Sequence, residues 1–201
     1  MSARAFPLDG RSVHLCIDMQ RLFAEPSPWH VPWMRRILPR VVALTERCPE
    51  RTVFTRFVPP RTPEEAEGAW RDYYAQWQCV TREHLDPRLL ELVGPLAGQA
   101  PPARIVDRSV YSAFAGTGLG ESLAGAGVTT LIVSGGETDV CVLSTVMDAI
   151  DAGFRVVLPV DALCSVRDQT HDALLTLYRE RFSAQIQATT VADVLSRWDC
   201  R

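Results

Sequence analysis

Several features that define other classes of protein are missing from this 201-residue chain. It has no run of basic residues and a net charge of only −3, so nothing predicts a surface for nucleic acid or for an anionic membrane. No apolar stretch reaches the roughly 18 residues that a membrane-spanning helix needs. The first residues lack the apolar core of a secretory signal. We therefore expect a cytoplasmic protein that binds neither nucleic acid nor a membrane.

Cysteine pairs typical of metal sites are missing as well. The six cysteines lie far apart without a Cys-x-x-Cys pair, which leaves a zinc ribbon unsupported and argues against a disulfide framework. For most of them the sequence predicts an inert buried thiol, and for Cys200 a thiol at a frayed chain end. The four histidines are scattered without the spacing of metal ligands. We expect no metal site.

Hydrophobic residues make up 47% of the chain, which is ordinary for one globular domain over residues 1–201. β-branched and apolar runs predict six strands, at residues 13–18, 51–56, 103–107, 129–134, 155–160 and 183–189. Helical patterns lie among them, at residues 33–47, 63–77, 87–96, 117–125, 138–152, 168–181 and 191–198. This alternation predicts an α/β fold of three layers, α/β/α, around a six-stranded, mainly parallel sheet.

One cysteine has a sequence context that favours chemistry. Cys141 follows a glycine-rich turn after the fourth predicted strand, and a long helical pattern begins just before it. A cysteine in the first turn of a helix lies at the positive end of the helix dipole, which favours thiolate over thiol. Cys141 is therefore a candidate nucleophile.

Two charged residues lie where other predicted strands end. Asp18 ends the first strand and Arg108 follows the third. Because open parallel sheets form their sites at the carboxyl ends of the strands, these residues could converge with Cys141 if the three strands are near one another. Structural roles stay open: Asp18 could cap a loop, and Arg108 could be a surface charge or a partner of Asp107.

Four segments, taken together, resemble one enzyme family. They are Leu15-Cys-Ile-Asp-Met-Gln20, Asp107-Arg-Ser-Val-Tyr-Ser-Ala-Phe114, Ser134-Gly-Gly-Glu-Thr-Asp-Val-Cys-Val142 and Asp161-Ala-Leu-Cys-Ser165. Their order and separation are similar to those of the isochorismatase-like cysteine hydrolase superfamily, which includes nicotinamidases and N-carbamoylsarcosine amidohydrolases. The resemblance covers residues 13–194. It implies a Rossmann-like strand order and a homo-oligomer, either a dimer or a tetramer.

The resemblance also implies a catalytic triad. Asp18 matches the family's aspartate and Cys141 its nucleophile, but the family has lysine where this chain has Arg108. Arginine keeps the positive charge and can pair with Asp18, yet it is bulkier and does not release its proton near neutral pH. The family further has a cis peptide bond at the position of Gly136–Glu137, which directs the amides of Glu137 and Cys141 at an oxyanion. The plain alternative is an ordinary tight turn.

From these matches we predict a metal-independent cysteine hydrolase, without a cofactor, that cleaves a C–N bond of a small amide or ureido compound through a thioester. The Asp-x-His metal pattern of nicotinamidases is missing from residues 55–60. Family members that are true isochorismatases generally lack the cysteine. Two alternatives stay open: an isochorismatase-type hydrolase that does not use the thiol, and a binding protein impaired by the arginine at position 108.

Aromatic residues are the candidates for the pocket wall. One face of the predicted helix at 63–77 carries four of them, for which packing in the core or between subunits is an alternative to covering the pocket. Glu137 could face a cationic or amide-bearing substrate, or be exposed to solvent. The predicted pocket residues are Phe23, Trp29, Trp70, Tyr74 and Phe114.

Overall fold

The computed structural model describes residues 5–201 and contains a seven-stranded sheet. The main strand order is β3-β2-β1-β4-β5-β7, while the short β6 pairs with the carboxyl end of β4. All of these pairings are parallel. The strands are β1 Ser12–Ile17, β2 Thr52–Phe57, β3 Arg104–Arg108, β4 Thr130–Gly136, β5 Arg155–Pro159, β6 Leu163–Cys164 and β7 Ile186–Thr189.

Helices cover the sheet, and the predicted three-layer α/β/α fold is confirmed. They are α1 Arg21–Ala24, α2 Met34–Arg47, α3 Ala69–Gln76, α4 Gly94–Ala97, α5 Leu119–Gly125, α6 Cys141–Asp151, α7 Asp168–Arg181 and α8 Val191–Arg197. None of the helices within residues 5–201 combines the length and the apolar character needed to cross a membrane. The prediction missed α1 and β6, because four and two residues are too few to show a periodic pattern.

The two strands at the centre of the sheet are buried along their whole length. Every residue of β1 and of β4 is buried, and their register pairs Ser12 with Thr130 and Ile17 with Gly135. Strands covered on both faces are typically continuous apolar runs, which explains why both were clear in the sequence. Their carboxyl ends therefore lie side by side at one edge of the sheet.

Two predicted helices are interrupted in the structure. The pattern at 63–77 is a 3-10 turn, Pro63–Glu65, followed by α3, and the pattern at 87–96 is a 3-10 turn, Pro87–Leu90, followed by α4. Between the first two pieces, directly before α3, Gly68 has a φ of 54°, a positive value that a right-handed helix cannot contain. The prediction of continuous helices was wrong at these two places.

A disulfide joins Cys48, at the end of α2, to Cys200. The prediction of a free thiol on Cys200 at a frayed end was therefore wrong, whereas the other four cysteines, Cys16, Cys79, Cys141 and Cys164, are free. The C-terminus is held by other contacts too, because Trp198 is fully buried and its carbonyl accepts two hydrogen bonds from Arg47 at 2.7 and 3.1 Å. A pairing across 152 residues leaves no local spacing signal, so the sequence could not reveal it.

Candidate active site

Asp18 leaves the end of β1 with a φ of 50°, the only non-glycine residue within residues 5–201 in the left-handed region. Aspartate tolerates that region better than most residues do. The backbone of β4 comes very close here, since a Cβ on Gly135 would lie 2.0 Å from the carbonyl oxygen of Ile17. Gly135, with a φ of 106°, thus allows the two strand ends to approach and brings the turn before Cys141 beside Asp18.

The Asp18 carboxylate forms an ion pair with the Arg108 guanidinium through Oδ2 and Nη2. Both side chains are buried, at 1% and 0% exposure. The strand β2 lies between β1 and β3, so Arg108 reaches across a whole strand. Its guanidinium carbon lies 5.2 Å from the centre of the Phe57 ring, at the end of β2. The aromatic face supports the cation along this path.

Other contacts also fix the arginine. Its Nη1 donates to the carbonyl oxygen of Val110, while Nε has no partner among residues 5–201. Burial opposes the charge on Arg108, but Asp18 and Cys141 outweigh it and raise its pKa. The chain contains no lysine, and all 21 of its basic residues are arginine. The arginine at position 108, where the family has lysine, is therefore one instance of a preference for arginine over lysine throughout the chain.

Polar groups from β2 and from the loop after β1 hold Asp18 in place. The Thr55 hydroxyl donates to Asp18 Oδ1 at 2.7 Å and accepts from the Asp18 amide at 3.2 Å. The buried Gln20 amide bridges two segments, since it accepts from Phe57 N at 2.7 Å and donates to the carbonyl of Leu90 at 2.9 Å. Gln20 stood in the sequence motif without a role, and the structure identifies it as a positioning residue.

Cys141 is the first residue of α6 and is 6% exposed. Burial raises the pKa of its thiol, and the negative charge of Asp18 raises it further, whereas Arg108 lowers it. All three groups are therefore close enough to act on one another. Burial of the sulfur thus opposes the thiolate that a position at the start of α6 was expected to favour.

The turn between β4 and α6 presents two unpaired amides. The Gly136–Glu137 peptide bond is cis, and the Glu137 carbonyl accepts from Val140 N and Val142 N at 3.1 and 3.0 Å. Within residues 5–201, neither the Glu137 N–H nor the Cys141 N–H donates to a protein acceptor. Both residues line the same pocket. Two free donors beside a thiol are the arrangement that an oxyanion needs.

Cys141 is part of the lining of a pocket of about 170 Å³. We call it the aromatic pocket, because five of its eight lining residues are aromatic. Phe23 and Trp29, which the sequence predicted, are among them. The lining residues are Phe23, Trp29, Phe57, Tyr73, Tyr111, Glu137, Val140 and Cys141.

The structure places the other predicted pocket residues elsewhere. Trp70 packs behind the wall, with its ring centre 4.6 Å from that of Tyr111, and the Tyr74 hydroxyl donates to the carbonyl of Ser109 at 3.3 Å. Phe114 lies in a separate depression, 6.0 Å from the ring of Phe154. The aromatic face of α3 thus has both of the expected roles. Tyr73 lines the pocket, and its aromatic neighbours pack behind it. No periodic pattern in the sequence identifies three further pocket residues, which are Phe57, Tyr111 and Val140.

The residues after β2 do not fit a metal site. In the part of the chain that the structure describes, no three His, Cys, Asp or Glu side chains come together as metal ligands. Carboxylate and imidazole groups in such a cluster are what a catalytic zinc requires.

The family model described as isochorismatase domain matches residues 12–190. An isochorismatase family protein of Bacillus subtilis, PncA, is 30% identical over 132 residues, which are 66% of this chain and 64% of that protein. Nicotinamidase 3 of Arabidopsis thaliana is 27% identical over 162 residues, 80% of this chain and 77% of that one. The crystal structure of a cysteine hydrolase from Pseudomonas syringae pv. phaseolicola superposes with a TM-score of 0.85 over 98% of both chains, at 24% identity, and so shares the fold.

The family match includes Asp18 after β1, Arg108 at the end of β3 and Cys141 at the start of α6. The sequence match to the Arabidopsis relative covers 80% of this chain, and the Pseudomonas syringae structure shares the fold over 98% of it. The chain therefore belongs to the isochorismatase family.

Proposed function

We propose that this protein is a cysteine hydrolase that cleaves a C–N bond of a small amide or ureido compound, with a thioester on Cys141 as the intermediate. One observation carries the proposal: a thiol at the end of a pocket lies beside a buried carboxylate and two unpaired amides. The Arabidopsis relative is named as a nicotinamidase, which is an amide hydrolase. No step in the reaction below needs a metal.

In the first step the substrate carbonyl enters the aromatic pocket and its oxygen accepts from the amides of Glu137 and Cys141. Asp18 takes the proton from the Cys141 thiol while the sulfur bonds to the carbonyl carbon. Because burial raises the pKa of the thiol, we place the departure of its proton together with formation of the S–C bond, and the negative charge moves to the oxyanion. Loss of one oxyanion donor would raise this barrier by about 3 kcal/mol.

In the second step the C–N bond breaks, and Asp18 returns its proton to the leaving ammonia or amine. A water molecule then attacks the thioester carbonyl, Asp18 takes one proton from it, and the C–S bond breaks. That proton passes back to the sulfur, so the thiol is restored and the products are an acid and ammonia or an amine. Asp18 thus acts as a base twice and as an acid twice.

Arg108 does not exchange protons in this scheme. Its pKa is raised, so it stays a cation, and it holds the Asp18 carboxylate next to the sulfur. It also opposes the effect of Asp18 on the thiol, because its positive charge favours the developing thiolate. An electrostatic role of this kind is open to arginine as well as to lysine.

The proposal is tested by ammonia release from a panel of small amides and ureides, with the wild-type protein and two cysteine variants. Cys141→Ala should abolish turnover, whereas Cys79→Ala, which removes the one exposed free thiol within residues 5–201, should leave it unchanged. Full turnover by Cys141→Ala would support a hydrolase that does not use the thiol. Failure of every amide and ureide to release ammonia would favour a binding protein.

We also propose a cytoplasmic location, which the sequence features described first led us to expect, and a homo-oligomer, a dimer or a tetramer, on the resemblance to the family. Light scattering coupled to gel filtration measures the second directly. A monomer at micromolar concentration would refute it.

A further inference from the structure

The aromatic pocket contains one charge. Of its eight lining residues, all within residues 5–201, only Glu137 has an ionisable carboxylate. Oxygen Oε2 accepts from the Val166 amide at 2.9 Å and lies 3.4 Å from the Ser165 hydroxyl. Oxygen Oε1 has no hydrogen-bond partner among the described residues. One oxygen thus fixes the side chain, and the other remains available to a ligand.

Glu137 forms no ion pair with a basic side chain among residues 5–201; burial raises the pKa of its carboxyl and nearby Asp139 raises it further, whereas a cation bound at Oε1 would lower it. The Ser165 hydroxyl donates to Asp139 Oδ1 at 2.5 Å, which is much closer than Glu137, so a second carboxylate lies nearby. The guanidinium of Arg108 is paired with Asp18 and does not line the pocket. The lining of the pocket therefore offers one carboxyl group without a cationic partner, and no free cation to a substrate carboxylate.

The aromatic rings provide the second half of a cation site. Trp29 is at their centre, with ring centres of Phe57 at 5.7 Å and of Phe23 and Tyr73 at 6.2 Å. The faces of such rings are the negative part of their quadrupole and attract an ammonium group that has given up its water. Aromatic walls with one carboxylate suit an organic cation better than a neutral or an anionic group.

We propose that the aromatic pocket recognises a compact organic cation, and that the substrate is an amide or ureide with a substituted ammonium group near its carbonyl. Glu137 Oε1 provides the counter-charge and the Trp29 cluster surrounds the alkyl groups. The substrate assignment rests on the hydrolase function proposed above, whereas binding of the cation does not require turnover.

Three probes of similar shape separate charge from size. (Carbamoylmethyl)trimethylammonium and 3,3-dimethylbutanamide differ only in a nitrogen for a carbon, and malonamate adds the opposite charge. Each is titrated by calorimetry into the Cys141→Ala protein, which cannot turn it over by the proposed route. We expect the cation to bind at least about tenfold more tightly than the neutral probe, a ratio that corresponds to about 1.4 kcal/mol. Malonamate should bind more weakly than both.

The matched variant is Glu137→Gln in the same background. Glutamine keeps a carbonyl oxygen for the Val166 amide, so the turn is retained while the charge is lost. The ratio of the affinities for the cationic and the neutral probe should fall several-fold. The remaining ratio is the contribution of the aromatic rings. Glu121→Gln, in the separate depression that contains Phe114, is the control for a general change in charge and should keep the full preference.

Equal affinities for the cation and the neutral probe would overturn the proposal. So would an undiminished preference in Glu137→Gln with an unchanged melting temperature, since Glu137 would then only anchor the Val166 turn. These outcomes differ from a failure of the hydrolase function. If the Cys141→Ala protein prefers the cation but the wild type releases no ammonia from it, the proposed cation site is supported and the proposed hydrolase reaction is refuted.

Discussion

Replacement of Asp18 by asparagine removes one charge of the buried pair with Arg108 and keeps the shape of the side chain. Both partners are almost fully buried, so the guanidinium would remain in the interior without a counter-charge. Breaking a buried pair in this way costs about 3–5 kcal/mol. The asparagine oxygen can still accept one N–H, so we expect the lower end, about 3 kcal/mol of unfolding free energy.

A double-mutant cycle separates this effect from loss of packing. Arg108→Met leaves the Asp18 carboxylate buried and should also cost about 3 kcal/mol. The double variant Asp18→Asn/Arg108→Met contains no uncompensated charge. Its cost should therefore fall about 3 kcal/mol short of the sum of the two single costs. Urea denaturation at neutral pH measures all three variants.

The exposed pair of Arg56 and Asp107 is the matched control, because it joins β2 to β3 next to the site. Its side chains are 27% and 48% exposed, and the nitrogen–oxygen distance is 2.7 Å. Solvent screening limits such pairs to about 0.2–1 kcal/mol, so Asp107→Asn should change stability little. If the costs at positions 18 and 108 add within about 0.5 kcal/mol, the two charges are not coupled and our account of the site is refuted.

Three further predictions concern the backbone, the thiol and the disulfide. Gly135→Ala should cost more than about 3 kcal/mol or prevent folding, because its Cβ would lie 2.0 Å from the Ile17 carbonyl oxygen; a stable variant would contradict this. Alkylation of Cys141 by iodoacetamide should accelerate about tenfold per pH unit from pH 6 to 9, since burial raises the thiol pKa; a plateau near pH 6 would reveal a thiolate. Reduction of the Cys48–Cys200 disulfide should lower the unfolding free energy by about 2–4 kcal/mol. The loop-closure entropy of the unfolded chain sets an upper value of about 5 kcal/mol, and an unchanged urea midpoint would contradict the prediction.

The sequence was sufficient for the layers of the fold and for most of its elements. Strands β1 and β4 are buried throughout and therefore appear as continuous apolar runs, and α7 matches its predicted range at both ends. The failures are local. The segment 63–77 was predicted as one helix from its periodic pattern. A periodic pattern cannot show that Gly68 has a positive φ, which interrupts the helix.

The geometry of the site could be predicted from the sequence less completely than the fold. Asp18, Arg108 and Cys141 could be named from position and resemblance, but only the strand order shows that Arg108 reaches across β2 and over Phe57. The sequence shows that Cys141 begins a helix but not that its thiol is buried, so the effect of burial on the thiol pKa could not be predicted from it. Tyr111 lies in a loop, where no periodic pattern indicates which side chains face a cavity.

The central claim is that the Cys141 sulfur carries the acyl group of an amide substrate. Mass spectrometry of the protein, acid-quenched during turnover of an amide that releases ammonia, tests it most directly. Our account predicts an added mass equal to the acyl group, located on the peptide that contains Cys141 and removed by hydroxylamine. In Asp18→Asn this adduct should not form. Steady turnover with an unmodified Cys141 and no loss of rate in the Cys141→Ala protein would contradict the account.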